Sequence, residues 1–110
     1  MALRNWLRFR PPRNKRTTIR DHALTPGEHK TLAGSYYHSV RLGVLEIGDV
    51  LDDSLGAIKR VKYLDDEDAR NDGFKDQPEL LEEISEINPD WTPETIAFIH
   101  PARVVEDLIP

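Results

Sequence analysis

Basic and hydroxyl side chains that can hold an anion lie close together between Lys15 and Arg20. Alternate side chains of a strand share a face, so Thr18 and Arg20 point one way while Thr17 and Ile19 point the other. Ile19 suits a core position, which leaves Thr18 and Arg20 facing a cleft that Lys15 could reach from the preceding turn. Because a guanidinium offers a rigid fork of donors, the segment predicts a site for a phosphate or a carboxylate. The alternatives are an ion pair between Arg20 and an acid of the chain, and an exposed surface position for Lys15.

The charge of the chain is divided unevenly along its length. Residues 1–20 hold seven basic residues and no acidic one, a charge of +7, whereas the whole chain carries −5 and the remaining residues therefore −12. Such segregation concentrates positive potential in one region and predicts a one-sided contact with an anionic partner. We expect Arg4, Arg8, Arg10 and Arg13 to supply general attraction, with Arg13 also among the ligand-binding residues. A solvated basic arm is the alternative.

Length and composition bound the class of protein. A chain of 110 residues predicts one domain, and 38% apolar with 32% charged residues is typical of a soluble globular protein. The absence of cysteine excludes disulfides, thiolate chemistry and cysteine zinc sites. No apolar run reaches the ~20 residues that a membrane span needs. The apolar run in the first residues is also too short for the core of a secretory signal. We therefore expect no membrane partner and a cytoplasmic location.

Two metal-binding patterns in the sequence are weak. Asp68-x-Arg70-x-Asp72-Gly73, with Glu79 at the twelfth place, is similar to a calcium loop, but arginine occupies a ligand position and Glu79 suits a helix cap. The four histidines lack the spacing of a zinc site. We expect no metal and no cofactor.

Short strands are predicted in the first part of the chain, where apolar and polar residues alternate. The predicted strands are residues 6–10, 17–21, 40–47 with a continuation at 50–51, and 57–64. Residues 22–38 show no clear period and are interpreted as a long excursion, in which Tyr36, Tyr37 and His38 could face a base-stacking cleft.

Two helices are predicted late in the chain. Residues 65–73 place acids in a first turn and glycine at the C′ position. Residues 76–88 begin with Asp76 as the cap, Pro78 in the first turn and Glu79 at the third position of a capping box. The apolar stripe of this helix is Leu80, Leu81, Ile84 and Ile87. Strands at 95–99 and 104–105 would complete an α+β domain.

Four short motifs occur in the order Lys15-x-x-Thr18-Ile19-Arg20, Gly48-Asp49-Val50, Asp68-Ala69-Arg70-Asn71-Asp72-Gly73-Phe74 and Thr95-Ile96-Ala97-Phe98. Together, over roughly residues 13–100, they resemble the ASCH domain family, which is related to the PUA domains that bind RNA. The resemblance implies a single ASCH-like domain over residues 1–110, a small PUA-like β-barrel with two short helices inserted before the last strands. Residues 1–12 would form an N-terminal strand and basic arm. The family has a helix ending in Gly-x-Lys where this chain has residues 11–14, Pro-Pro-Arg-Asn.

The resemblance implies a nucleic-acid or nucleotide-binding domain, RNA-related, whose basic cleft is lined by Lys15, Thr18, Arg20 and Arg13. Some small ASCH proteins are similar to amidohydrolases that deacetylate acetylated cytidine, and this similarity assigns catalytic roles to Lys15, Thr18 and Asp72. A threonine hydroxyl becomes a nucleophile when a base takes its proton, and a desolvated lysine can serve. Asp72 stands where those enzymes have glutamate, one methylene longer.

Whether the chain is an enzyme or a binding module stays open at this point. The expected ligand is RNA, a nucleotide or a nucleoside. A third alternative is a protein-interaction domain whose acidic face, residues 65–86, meets a basic protein.

Overall fold

The computed structural model describes residues 1–34 and 38–110. These residues form an α+β domain with five strands and three short helices. In chain order the elements are α1 (Leu3–Leu7), β1 (Thr17–Arg20), β2 (Gly27–Gly34), β3 (Ser39–Ile47), β4 (Ala57–Arg60), a 3-10 turn (Val61–Tyr63), α2 (Asp66–Asn71), α3 (Gln77–Ile87) and β5 (Ile96–Asp107). None of the helices in the described ranges combines the length and the apolar character that crossing a membrane requires.

The strands form one antiparallel sheet organised around β5. The first half of β5 pairs with β1 and with β4, and the second half of β5 pairs with β3. In the pairing with β1, Ile19 lies opposite Ile99. The sheet order is β1-β5-β3-β2, with β4 also beside β5. In the described part of the chain β1, β2 and β4 each have one strand neighbour, so the pairings leave free edges.

The sheet buries apolar residues in two clusters. Helices α2 and α3 pack their apolar side chains against Ile19 and Ile99. The second cluster surrounds Trp6 of α1 and includes Leu42 and Leu45 of β3. Burial of Ile19 agrees with the core position predicted from the sequence, and it fixes the orientation of β1.

The strand predicted at residues 6–10 is wrong, because this segment contains the end of α1 and a turn. Trp6 and Phe9 are spaced three apart, and their rings meet edge to face at 5.9 Å. Arg4 and Arg8 are four apart and both reach Glu83, on α3. The apolar and basic residues that alternate in the sequence therefore follow a helical period up to Leu7, and the expected basic arm is a short helix followed by turns.

Three further boundaries differ from those predicted. Part of the excursion at 22–38 is β2, an edge strand with one exposed face and one half-buried face, and the half-buried positions His29 and Thr31 are polar, so the sequence shows no apolar alternation. Residues 50–51 are a turn, in which the Leu51 amide donates to Asp49 Oδ1 at 2.9 Å. The strand predicted at 57–64 ends at Arg60. The next amides bond instead to the segment that precedes β5, and the Val61 amide donates to the Thr95 carbonyl at 2.9 Å.

The helices and the last strand were predicted more closely. Helices α2 and α3 are confirmed, and Asp76 caps α3 by accepting from the Glu79 amide at 3.1 Å. The capping box lies elsewhere than predicted. It forms at α2 between Asp65 and Asp68, whereas the Glu79 carboxylate accepts from the Lys75 amide at 3.3 Å. The strands predicted at 95–99 and 104–105 form one strand, β5, that continues through the intervening residues.

A glycine turns the chain at the end of α2 and so aims Asp72. The Phe74 amide donates to the Ala69 carbonyl at 2.9 Å and the Gly73 amide to the Arg70 carbonyl at 3.1 Å, a Schellman motif with Gly73 at C′. Gly73 has φ +88°, and a Cβ there would lie 3.0 Å from the Cβ atoms of both Arg8 and Lys15.

We expect Gly73→Ala to lower the free energy of unfolding through backbone strain and through crowding of Arg8 and Lys15. Gly27→Ala is the matched control, because Gly27 has φ +130° but open space around its Cβ position. Strain alone costs about 1–3 kcal/mol, and crowding should add about 1–3 kcal/mol at Gly73. Urea unfolding measures both variants, and equal losses would contradict the close packing of this turn.

Candidate functional site

A buried ion pair joins the start of β1 to the end of α2. Lys15 Nζ lies 2.6 Å from Asp72 Oδ1 and also donates to the Asp72 carbonyl at 3.3 Å. The Thr17 hydroxyl donates to the same Oδ1 at 3.0 Å. The side chains of Lys15 and Asp72 are 4% and 8% exposed. The pair is thus shielded from water and completed by a neutral hydroxyl.

Backbone hydrogen bonds fix Lys15 in this position. Its amide donates to the Arg8 carbonyl after α1 at 2.8 Å, and the next amide, of Arg16, donates to the Asn71 carbonyl at the end of α2 at 2.7 Å. The segment before β1 is therefore held between the ends of two helices. The backbone at Lys15 cannot move away without breaking these contacts.

Burial acts on the protonation of both partners. It lowers the pKa of Lys15 and raises the pKa of Asp72, because each charged form loses its hydration, while the attraction between the two charges opposes both shifts. Each partner therefore depends on the other to keep its charge in a position without water.

Arg20 differs from Lys15 in its partners. Its Nη1 donates to the Thr18 hydroxyl at 2.6 Å and to the Ile19 carbonyl at 3.0 Å, both neutral acceptors. In residues 1–34 and 38–110 no carboxylate lies within ion-pair distance of this guanidinium. Burial lowers its pKa from the usual arginine value, and the charges of the nearby Asp72 and Asp21 carboxylates oppose this shift without bonding to the guanidinium. Arg20 is a partly desolvated cation without a bonded anion.

One pocket of about 370 Å³ brings these side chains together. Lys15, Thr18, Arg20 and Asp72, four of the residues predicted for the site, contribute to its wall. The facing wall is largely apolar and comes from α3 and the adjoining segments: Phe74, Leu80, Ile84, Ile87 and Trp91. The volume lies within the range of roughly 300–1,000 Å³ that holds small molecules in proteins.

Arg13, the fifth predicted site residue, does not line this pocket. Its Nη1 lies 3.3 Å from Glu79 Oε1 at the start of α3. The other arginines of the N-terminal segment are also paired. Arg4 and Arg8 contact Glu83, and Arg10 contacts Asp107 at 2.9 Å. Carboxylates of α3 and β5 thus lie within ion-pair distance of these arginines, and the general attraction by them stays a prediction.

Two pocket or pair residues were not predicted from the sequence. Thr17 bonds to Asp72, although the alternation of β1 had directed attention to Thr18. Asn5 of α1 lines the pocket, and its Oδ1 is buried with no hydrogen-bond partner in the described residues. Neither residue carries a local signal. His38 lines a different, apolar pocket, and the Tyr36 and Tyr37 of the predicted stacking cleft lie outside the described residues.

A scan against protein-family models, a search of curated proteins and a search of solved structures each found no match to this chain. Within the ranges that the structure describes, no three acidic or histidine side chains come together in a group that could hold a metal ion. Function is therefore inferred from the geometry and chemistry of the pocket.

We expect Asp72→Asn to lower the free energy of unfolding by about 3–5 kcal/mol, because it leaves Lys15 charged and buried without its counterion. Without Asp72 the folded-state pKa of Lys15 falls further below the value of about 10.4 in the unfolded chain. Between these two values the unfolded chain binds more protons, so stability rises with pH. Urea unfolding should thus show a larger loss at pH 6 than at pH 9.5.

Glu46→Gln is the control, because Glu46 pairs with Arg103 at 2.9 Å on an exposed surface where ion pairs contribute little. Its stability should stay close to that of the wild type at both pH values. A loss in Asp72→Asn that is small, or that does not shrink toward pH 9.5, would contradict the buried-pair interpretation.

Proposed function

We propose that this chain is an ASCH-like domain that binds a nucleotide in the pocket between β1 and α3, either free or as an unstacked nucleotide of an RNA. The observation that carries the proposal is the partly buried guanidinium of Arg20, which has neutral partners alone in the described residues. Asp72 and Asp21 attract this charge from a distance, but a cation withdrawn from water without a directly bonded carboxylate is costly, and an anionic group of a ligand would compensate it. Arginine suits phosphate because its donors can form two parallel hydrogen bonds.

The apolar wall supports a flat ligand attached to that anion. Trp91 offers aromatic surface, and Ile87 and the less exposed Ile84 of α3 add aliphatic surface. Proteins that recognise unstacked bases commonly place them against such side chains. A pocket of about 370 Å³ is small for a polymer and suits one nucleotide.

The paired arginines favour contact with one nucleotide over a long track of phosphates. Arg4, Arg8, Arg10 and Arg13 each have a carboxylate partner, so an RNA backbone would have to displace those acids. Arg20 is the cation of this segment that faces the pocket without one. The ligand is expected to present a single phosphate to the site.

We also propose that the fold is a PUA-like barrel of the ASCH family. A PUA-like barrel is supported by the long β5, which pairs with three other strands, and by apolar clusters in two regions of the sheet. The motif order supports the ASCH family, with Lys15, Thr18 and Arg20 on β1 or just before it.

Arg20→Gln tests the proposal with CMP, UMP, AMP and GMP as probes in calorimetric titrations at low salt. We expect at least one nucleotide to bind the wild type and to bind the variant about 10- to 100-fold more weakly, because the charged hydrogen bonds to phosphate are lost. The free variant should stay close to the wild type in stability, since it loses hydrogen bonds to two neutral acceptors but also a desolvated charge. Arg16→Gln is the matched control, because Arg16 is exposed and bonds to Asn71 Oδ1.

Single-stranded RNA distinguishes the two sources of the nucleotide. If RNA binds through one inserted nucleotide, the logarithm of its affinity should fall with the logarithm of salt concentration with a slope of about −0.7. A slope several times steeper would show a phosphate track. No binding of any nucleotide, or equal binding by Arg20→Gln, would overturn the proposed function.

A second candidate function is hydrolysis of an acetylated cytidine. It is favoured by the position of Lys15, Thr18 and Asp72, which line the same pocket. In addition, Arg20 donates to the Thr18 hydroxyl at 2.6 Å, and its positive charge would stabilise the oxygen of Thr18 after deprotonation. Thr18 would attack the acetyl carbonyl and pass its proton through a base to the departing amine, and water would then release the acetyl group. In the described residues Lys15 Nζ is bonded to Asp72, with no hydrogen bond to Thr18, so Lys15 must change partner to act as that base.

We expect Thr18→Val to abolish release of cytidine from acetylated cytidine if the second candidate is correct, because valine keeps the shape and loses the nucleophile. Chromatography of the products measures the reaction. Thr31→Val on β2, away from the pocket, is the matched control and should keep wild-type activity. No product from the wild type, or equal product from Thr18→Val, would remove this candidate and leave nucleotide binding unaffected.

A further inference from the structure

Strand β2 leaves one long edge of the sheet open. It has eight residues and, in the part of the chain that the structure describes, β3 is its one strand neighbour. The other strands with one neighbour, β1 and β4, have four residues each. An open edge of this length is a surface for association, because its free amides and carbonyls can pair with a strand of another chain.

The backbone groups of Glu28 and Lys30 face the open side of β2. The Leu32 carbonyl accepts from the Met1 nitrogen at 3.0 Å, and Met1 lies outside the sheet. Because the backbone groups along a strand point alternately to its two sides, those of Lys30 and Glu28 point the same way as those of Leu32. His29, between them, directs its own groups to β3. Glu28 and Lys30 are therefore the residues of β2 that can bond to a further strand.

The same two residues carry opposite charges that have no ion-pair partner among the described residues. Both side chains are exposed. Glu28 lies opposite a like charge, Glu46 of β3. Arg103 attracts Glu28 from a distance, but its hydrogen bonds, at 2.9 and 3.1 Å, go to Glu46. Directly opposed like charges destabilise a sheet, so a cation on the open side of Glu28 would be favourable.

We propose that β2 is a self-association surface, to which a second copy of this chain adds its own β2 in the antiparallel direction. In the proposed register His29 of one copy lies opposite His29 of the other. Glu28 of each copy then lies opposite Lys30 of the other, and their outward backbone groups form hydrogen-bonded pairs. Sliding one strand by two residues would place Lys30 opposite Lys30, or Glu28 opposite Glu28, and the like charges would oppose it. Charge thus selects one register and a partner identical to the chain itself.

The ends of the strand limit the size of this contact. In the same register Leu32, which is 47% exposed, lies opposite Pro26 of the other copy and gives an apolar contact at each end. Pro26 has no amide to donate, and the Leu32 carbonyl is already bonded to Met1. The pairing therefore spans Gly27–Thr31, and a contact this small predicts a weak, reversible dimer. None of these five residues lines the nucleotide pocket, so the proposal does not depend on the proposed function.

Charge reversal tests the register through sedimentation of the protein at low salt and at concentrations up to about 1 mM. The wild type should show an equilibrium between monomer and dimer. Glu28→Lys and Lys30→Glu should each weaken the dimer about 10-fold or more, because two attractive pairs become two repulsive ones. The double variant, with both substitutions, should regain the wild-type affinity. The Glu28→Lys monomer should remain folded, since a lysine there would face Glu46.

Glu82→Lys on α3 is the matched control, because Glu82 is also exposed and has no ion-pair partner in the described ranges. It changes the net charge by the same amount and should leave the dimer unaffected. A wild type that stays monomeric throughout would overturn the proposal. A dimer that forms equally in every variant, or one that the double variant does not restore, would also overturn it, because the contact would then lie on another surface or in another register.

Discussion

The buried ion pair between Lys15 and Asp72 is the constraint on which the rest of the site depends. It connects the segment before β1 to the C-terminus of α2, two parts of the chain 57 residues apart. Gly73 makes the turn that aims the carboxylate, and Thr17 completes its hydrogen bonds at 3.0 Å. Since either charge alone would be costly in a position without water, the pair fixes β1 against the helices and thereby forms one wall of the pocket.

The same pairing principle decides which cations can meet a ligand. Arg4, Arg8, Arg10 and Arg13 find carboxylates on α3 and β5, so the basic N-terminal segment is largely neutralised within the fold. Arg20 bonds to neutral oxygens at the edge of the pocket. Of the arginines that the charge pattern offers to a polyanion, Arg20 is the one that lines the small pocket, and this contrast favours one nucleotide as the ligand.

The sequence predicted those elements whose structure depends on interactions between residues close together in the chain. The β-branched strand at Thr17–Arg20, the acidic first turn of α2 and the cap at Asp76 were predicted, because each depends on neighbours in sequence. Helix α1 and strand β2 were missed, since Trp6 and Arg4 of α1 find their partners on β3 and α3, far away in the sequence, and β2 is an edge strand that is at most half-buried. Lys15, Thr18 and Arg20 were selected from the sequence and Asp72 through a family resemblance, whereas Thr17 acquires its role from a contact with Asp72 that no local pattern encodes.

The most direct measurement is a titration of the protein with the tightest-binding mononucleotide, followed through the Nε–H resonances of its arginines by nuclear magnetic resonance. A phosphate bound by the unpaired guanidinium should shift the Arg20 resonance to a saturating value. The resonances of Arg10 and Arg13, which are held by carboxylates away from the pocket, should stay in place. Movement of those resonances with Arg20 unchanged, or no movement of any arginine, would contradict the account.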